Sequence, residues 1–179
     1  MWWLVGVVAV VVAVATYLTW IAARVDRLHH RAEAAYAALD ARLTRRAAAA
    51  VTLAEVDPSL GDRAVLLRDV ARQALRPASD GREITENQLT RVVRELTMQR
   101  RVPVPEPAPA GGATADPATQ AAAELVNASR RVALARQVHT DLVRETLAAR
   151  RRPVVRVLGL DRRHRRPAYF DIEDPVIDG

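Results

Sequence analysis

The residues of this 179-residue chain equipped for chemistry are four histidines, 21 carboxylates and a large set of arginines, with no cysteine. Lacking cysteine, the chain has no disulfides, no thiolate nucleophile and no cysteine-ligated zinc or iron–sulfur centre. His29 and His30 are neighbours, so on a helix their side chains diverge by about 100° and cannot close on one metal from a single face. His139 falls on an apolar stripe and His164 in an arginine-rich segment. No two histidines have the one-turn spacing of a helical zinc site. The carboxylates Glu33, Asp40, Glu124, Asp141 and Glu145 alternate with arginines along helical faces, the pattern of a solvated helix surface. Gly111-Gly112-Ala113-Thr114 has no lysine and follows no strand, so it is a spacer and not a phosphate loop. Asn127-Ala128-Ser129 matches a glycosylation sequon but lies within a predicted helix. No catalytic, cofactor-binding or metal-ligating residue emerges from these patterns.

The strongest charge feature is Arg150-Arg151-Arg152, then Arg156, then Arg162-Arg163-His164-Arg165-Arg166. The chain has no lysine, so its formal charge of +6 is carried by arginine. Three readings of the run stand side by side. It is a solvated face, partly neutralised by the acidic end at Asp171, Glu173, Asp174 and Asp178. Alternatively, the interleaved Val154, Val155, Val157, Leu158 and Leu160 let it lie on a membrane with its charges toward anionic headgroups. Nucleic acid would take the same charges, but the basic segment lacks stacking aromatics, which makes that partner the least favoured.

These residues must be carried on elements, and the first is unmistakable. No charged residue interrupts Trp2 to Ala23, and about 22 residues at 1.5 Å each reach about 33 Å, enough to cross a hydrocarbon core of about 30 Å. Trp2 and Trp3 at one end, and Tyr17 and Trp20 near the other, stand where an aromatic belt places rings in the headgroup layer. A secretory signal peptide would want a basic start and a small-residue cleavage site beyond the apolar run. Here only Met1 precedes Trp2, and Ala13-Val14-Ala15 lies inside the run. Arg24, Arg27 and Arg31 follow the anchor at once, and arginine near a membrane end stays on the cytoplasmic side. The sequence therefore predicts a single-pass protein of the cell membrane, N-terminus out and body in the cytoplasm.

Half of the residues are apolar but only 4% are aromatic, so the core is built from small side chains packed between helices. Val25, Leu28, Ala32, Ala35 and Leu39, continued by Leu43, Ala47, Ala50 and Ala54, repeat at spacings of three and four, one face of a helix that continues from the anchor. Asp57-Pro58 ends it and starts a second helix with the stripe Leu60, Ala64, Leu67, Ala71 and Leu75. Ser79-Asp80-Gly81 turns the chain, and Thr85 and Gln88 have capping-box spacing before Leu89, Val92, Val93 and Leu96. Prolines at 103, 105, 107 and 109 mark an extended linker. Asp116-Pro117 opens the longest helix of the body, with the stripe Ala121, Leu125, Ala128, Val132, Ala135, His139, Leu142, Thr146 and Ala149. The predicted organisation is an anchor over 2–23, three helices over 24–101, a linker over 102–117, a fourth helix over 118–152 and a basic then acidic tail over 153–179. The predicted fold is all-α: a transmembrane helix running on into a long antiparallel four-helix bundle.

Three stretches carry a resemblance to a known family. They are AAYAALDARLTRR from Ala34 to Arg46, ENQLTRVVREL from Glu86 to Leu96, and ARQVHTDLVR from Ala135 to Arg144, followed by VVRVLGL and the aromatic pair Tyr169-Phe170. In this order the chain resembles the LemA family of membrane-anchored helical proteins. The resemblance implies an N-terminal membrane helix and a long antiparallel bundle, and supplies no enzyme activity or catalytic residue. The leading expectation is a membrane-tethered structural or interaction module, with the lipid bilayer, anionic headgroups and a protein partner or second copy as its contacts, and no cofactor. The alternatives are a membrane-bound hydrolase, and an envelope or nucleoid tether acting through the arginines.

Overall fold

The computed structural model describes residues 1–76, 81–100, 116–157, 159 and 167–172. Among the described residues the chain is all-helical, without a strand. Helix α1 runs Trp2–Val56, a 3-10 turn Pro58–Leu60, α2 Arg63–Ala74, α3 Arg82–Arg100, α4 Pro117–Arg150 and α5 Pro153–Val157.

No proline falls inside α1, and its 55 residues continue from the apolar stretch into the body as one helix. It stops at Asp57 because Pro58 has no N–H and disfavours helical geometry in the residue before it. Asp57 is extended (φ −105°, ψ 97°), and its Oδ1 accepts from the Ser59 N–H at 3.0 Å and the Ser59 hydroxyl at 2.6 Å. Arg68 donates to Ala54 O at 3.3 Å, satisfying one of the carbonyls that a helix end leaves open.

Two local expectations are corrected. The second helix does not run unbroken from Asp57-Pro58, because Gly61 at φ +51° turns the chain out of the right-handed helix, a conformation other residues adopt only at a cost of about 1–2 kcal/mol. The expected stripe nevertheless continues across the break, with Leu60, Leu67 and Ala71 buried and Ala64 half-buried, and departs only at its end, where Ala74 is buried and Leu75 is 39% exposed. Thr85 is not a cap, since α3 already starts at Arg82 and the Thr85 hydroxyl bonds back to Gly81 O at 3.4 Å. Of the 102–117 linker, residues 102–115 lie outside the described residues, as do 77–80 of the preceding turn.

The chain divides into two compact units. The first, Met1–Tyr36 with Val138–Tyr169, has a core of Ile21, Val25 and Val155 edged by Ala22 and Val154. Farther along, Thr146 donates to Leu142 O at 2.7 Å and approaches Leu28 O at 3.4 Å, and Tyr36 lies 5.7 Å from His139 between ring centroids. The second unit, Ala37–Gln137 with Phe170–Gly179, holds two apolar clusters. One joins Ala47, Ala50 and Ala54 of α1 to Leu67 and Ala71 of α2, Leu89 and Val93 of α3, and Ala121 and Leu125 of α4. Its alanines favour the short end of the 8–10 Å range of helix separations, and its fully buried Leu67 and Leu89 each contribute about 1.5–3 kcal/mol. The other joins Leu39 and Leu43 to Val132 and, from the segment expected to be only a tail, to Phe170 and Ile172.

Candidate functional site

The first feature that sets this chain apart is the beginning of α1. This helix is long and apolar enough to cross a membrane, and only 6% of its most apolar window is buried. Trp2 stands 93% exposed, and Trp3, Tyr17 and Trp20 are exposed as well. A soluble protein rarely leaves so continuous an apolar surface in water. The hydroxyls in the stretch are used within the helix, Thr16 donating to Val12 O and Thr19 to Thr16 O, each at 2.8 Å. Such internal bonding suits surroundings that offer no partner. Tyr17 and Trp20 stack at 6.4 Å with 19° between planes, and the Arg24 guanidinium lies 5.8 Å from the centre of the Trp20 ring.

Burial begins at Ile21, where α5 docks. Pro153 starts that helix directly after α4 ends, and its Val155 is 1% exposed against Ile21 and Val25. Val154 and Val155 thus pack on α1, while the side chains of Val157, Leu158 and Leu160 lie outside what the structure describes. Arg151, Arg152 and Arg156 are exposed and Arg150 is half-buried. Arg24, Arg27 and Arg31 are exposed on the adjoining part of α1. Arg162, Arg163, Arg165 and Arg166 lie outside the described residues.

The second feature is a buried charge pair in the second unit. Arg46 of α1 and Glu86 of α3 are both fully buried, with Nη1 and Oε2 3.9 Å apart. Arg46 Nη2 donates to Thr90 Oγ1 at 2.8 Å, and that hydroxyl donates in turn to Glu86 O at 2.9 Å. At the edge, Arg82 meets Asp40 at 3.0 Å and Thr44 at 3.4 Å. Burial pushes the Glu86 carboxyl up to about 7, against the opposing pull of Arg46 and Arg82 and with a smaller push from Asp40. Burial likewise lowers the Arg46 guanidinium, partly offset by Glu86 and reinforced by Arg94. An acid poised near neutrality has the pKa of a general acid or base, but a substrate must reach such a group, and neither side chain meets solvent. What the pair does in place is join α1 to α3, through the Arg46–Thr90 hydrogen bond and the attraction between two buried charges whose facing atoms, Arg46 Nη1 and both Glu86 carboxylate oxygens, make no hydrogen bond.

Sequence alone does not single this pair out, because carboxylates and arginines alternate along the helices of the body. The available signal was phase: Arg46 stands three residues after Leu43 and four before Ala50, on the apolar stripe itself. Glu86 stands likewise three before Leu89 and seven before Val93.

The histidines are placed apart. His29 meets Glu33 Oε1 at 3.1 Å and His30 meets Oε2 of the same carboxylate at 3.4 Å, so Glu33 joins two rings that diverge from the helix. His139 is buried in the first unit, and burial lowers its imidazole below the ordinary 6.5. Among the described residues no group of three histidine, cysteine or carboxylate side chains is arranged to hold a metal ion; His164 lies outside them. Comparisons of the chain with protein-family models, with curated proteins and with solved structures find no match.

Proposed function

We propose that this chain is a LemA-like single-pass membrane protein whose helical body stands in the cytoplasm as a structural or protein-interaction module. The observation that carries the reading is the change of environment along one unbroken helix: α1 is apolar and, apart from the half-buried Leu18, exposed all round up to Trp20, and one of its faces is packed from Ile21 onward. A helix built for a soluble core would be covered along its apolar stretch, whereas a membrane helix is covered by lipid. Arg24, Arg27 and Arg31 directly after that stretch support the cytoplasmic placement of the body.

An antiparallel four-helix bundle is the arrangement we assign to the body. Within the first unit, Leu28 is met by Thr146 and the later Tyr36 by the earlier His139. Within the second, Leu39 and Leu43 share a cluster with Val132, and Ala47, Ala50 and Ala54 share one with the earlier Leu125 and Ala121. Advancing along α1 while receding along α4 is the antiparallel pattern of bundles. The stretches that carry the LemA resemblance also contain the residues that hold the body together. The first supplies Arg46 to Glu86 and Thr90 of the second, and Tyr36 to His139 of the third.

Paired C-terminal reporters on the full chain test the topology. A fluorescent protein that folds only in the cytoplasm should be bright, and a phosphatase active only outside it should be silent; the reverse pattern would overturn the orientation. For the interaction role, α2 offers Val65 and Leu66, 56% and 51% exposed. A photo-crosslinker at either position, in the native membrane, should join the chain to a second protein or a second copy, while crosslinks confined to one chain would count against the module.

A further inference from the structure

We propose that the arginines around the point where α1 leaves its apolar stretch form a collar that binds anionic phospholipid headgroups, an inference that rests on the membrane reading above. The depth of the collar follows from packing. Trp20 is exposed, Ile21 and Val25 are covered by Val155 of α5, and from Trp20 to Val25 the helix rises about 8 Å. A headgroup layer is about 5–8 Å thick on each side of the hydrocarbon. The docking of Val155 on Ile21 and Val25 therefore sets α5 at the level of the headgroups, or just beneath them in the cytoplasm. Arg156 adjoins Val155, Arg151 and Arg152 immediately precede the helix, and Arg24 and Arg27 flank Val25 on α1.

The chemistry at that level is cationic and available. Among the described residues no ion pair engages Arg27, Arg151, Arg152 or Arg156. Among the carboxylates of this unit, Asp26, beside Val25, already has a partner, Glu33 is shared by His29 and His30, and Asp141 is paired with Arg144 at 3.2 Å. Guanidinium groups match phosphate oxygens in pairs, which a lysine ammonium does not. Val155 is buried and Val154 half-buried against α1, so these two valines are already engaged by protein and not free to insert. The collar binds through charge at the headgroup and not by burying a wedge in the acyl chains. That separates it from an amphipathic surface helix, whose binding scales with buried apolar area. It also favours lipid over nucleic acid, because the anchor delivers these residues to a phosphate layer at no further cost in encounter.

The test uses the full chain in lipid nanodiscs carrying spin-labelled phosphatidylglycerol or spin-labelled phosphatidylcholine, read as the fraction of each lipid immobilised by the protein. A single arginine at a membrane surface favours anionic lipid by about 1 kcal/mol, or about fivefold. Phosphatidylglycerol should be preferred by at least that factor in low salt. The preference should fall toward unity at high salt as screening shortens the reach of the charges. It should also vanish in R24Q/R27Q/R151Q/R152Q/R156Q and persist in R24K/R27K/R151K/R152K/R156K, which keeps the charge and controls for folding. Added glycerol phosphate should not compete, because a free phosphate lacks the bilayer's surface density. Equal immobilisation of the two lipids, a preference that the Gln variant retains, or tight binding of short duplex DNA in place of lipid selectivity would each overturn the collar. Failure of the chain to enter either disc would overturn the membrane reading and the collar with it, a result distinct from entry without selectivity.

Discussion

Arg46 in the second unit is wholly buried on α1 beside Glu86 and Thr90, while Arg156 in the first unit stands in solvent on α5, one residue from the buried Val155. The difference lies in where each falls relative to an apolar stripe. Arg46 sits between Leu43 and Ala50 on the inner face, and α1 cannot rotate it outward without lifting both from the core. Arg156 follows a single docking valine on a five-residue helix, so nothing draws its guanidinium inward. In one unit Arg46 is part of the architecture, and in the other Arg156 stays on the surface.

Replacing Arg46 by Met should sharpen the contrast most. It leaves Glu86 buried without its cation, and removal of one partner of a buried pair costs about 3–5 kcal/mol. Urea unfolding of the full chain in detergent, followed by circular dichroism, should report that loss. The double replacement R46M/E86L should recover stability to the parent level or above, because an apolar pair of similar volume avoids the desolvation of both charges. A double variant as unstable as the single one would mean that the pair is not what the site requires.

The two units should also respond to pH with opposite sign. Glu86 is held at about 7 against an ordinary 4.5, so the native state binds this proton more tightly than the unfolded chain does. Its contribution is fully present below pH 4.5 and is lost as pH rises through about 7, an effect of about 3 kcal/mol. His139 is lowered from 6.5 by burial, so it contributes stability above that pH and loses it on acidification. Native-state hydrogen exchange, corrected for intrinsic rate, should show α3 better protected at pH 5 than at pH 8, with the end of α4 beyond His139 trending the other way. Glu86→Gln should flatten the α3 dependence alone. A common slope in both regions would contradict the assignment.

The smallest effect should come from the solvent-facing arginines. Arg156→Gln should change unfolding stability by less than about 0.5 kcal/mol, the usual range for surface positions. A loss approaching that of Arg46→Met would place Arg156 in the architecture as well and erase the distinction.

Much of this division was legible from residue spacing. The apolar stretch needed only length and absence of charge, and the stripes of α1 and α4 repeat at helical period over enough turns that Leu39, Leu43, Ala121 and Val132 are all found buried. Short or interrupted elements were not legible in this way. The break at Gly61 depends on a single backbone angle, and the burial of Phe170 and Ile172 depends on partners far away in the sequence. The Arg46–Glu86 pair needed both, since 40 residues separate its members and each alone looks like one more charge on a helix. The alternation of arginine and valine after Arg150 gives no sign that Val155 docks on Ile21 and Val25, because those partners lie about 130 residues earlier in the chain.

On the proposed reading, α1 lies in lipid up to about Trp20 and packs against protein beyond it. Alkaline carbonate extraction of native membranes tests this most directly, because it strips peripheral proteins and leaves spanning helices in place. The full chain should stay with the membrane pellet at pH 11, and a chain lacking residues 2–20 should appear in the supernatant with its helical spectrum intact. Release of the full chain into the supernatant would contradict the account, as would retention of the shortened chain in the pellet.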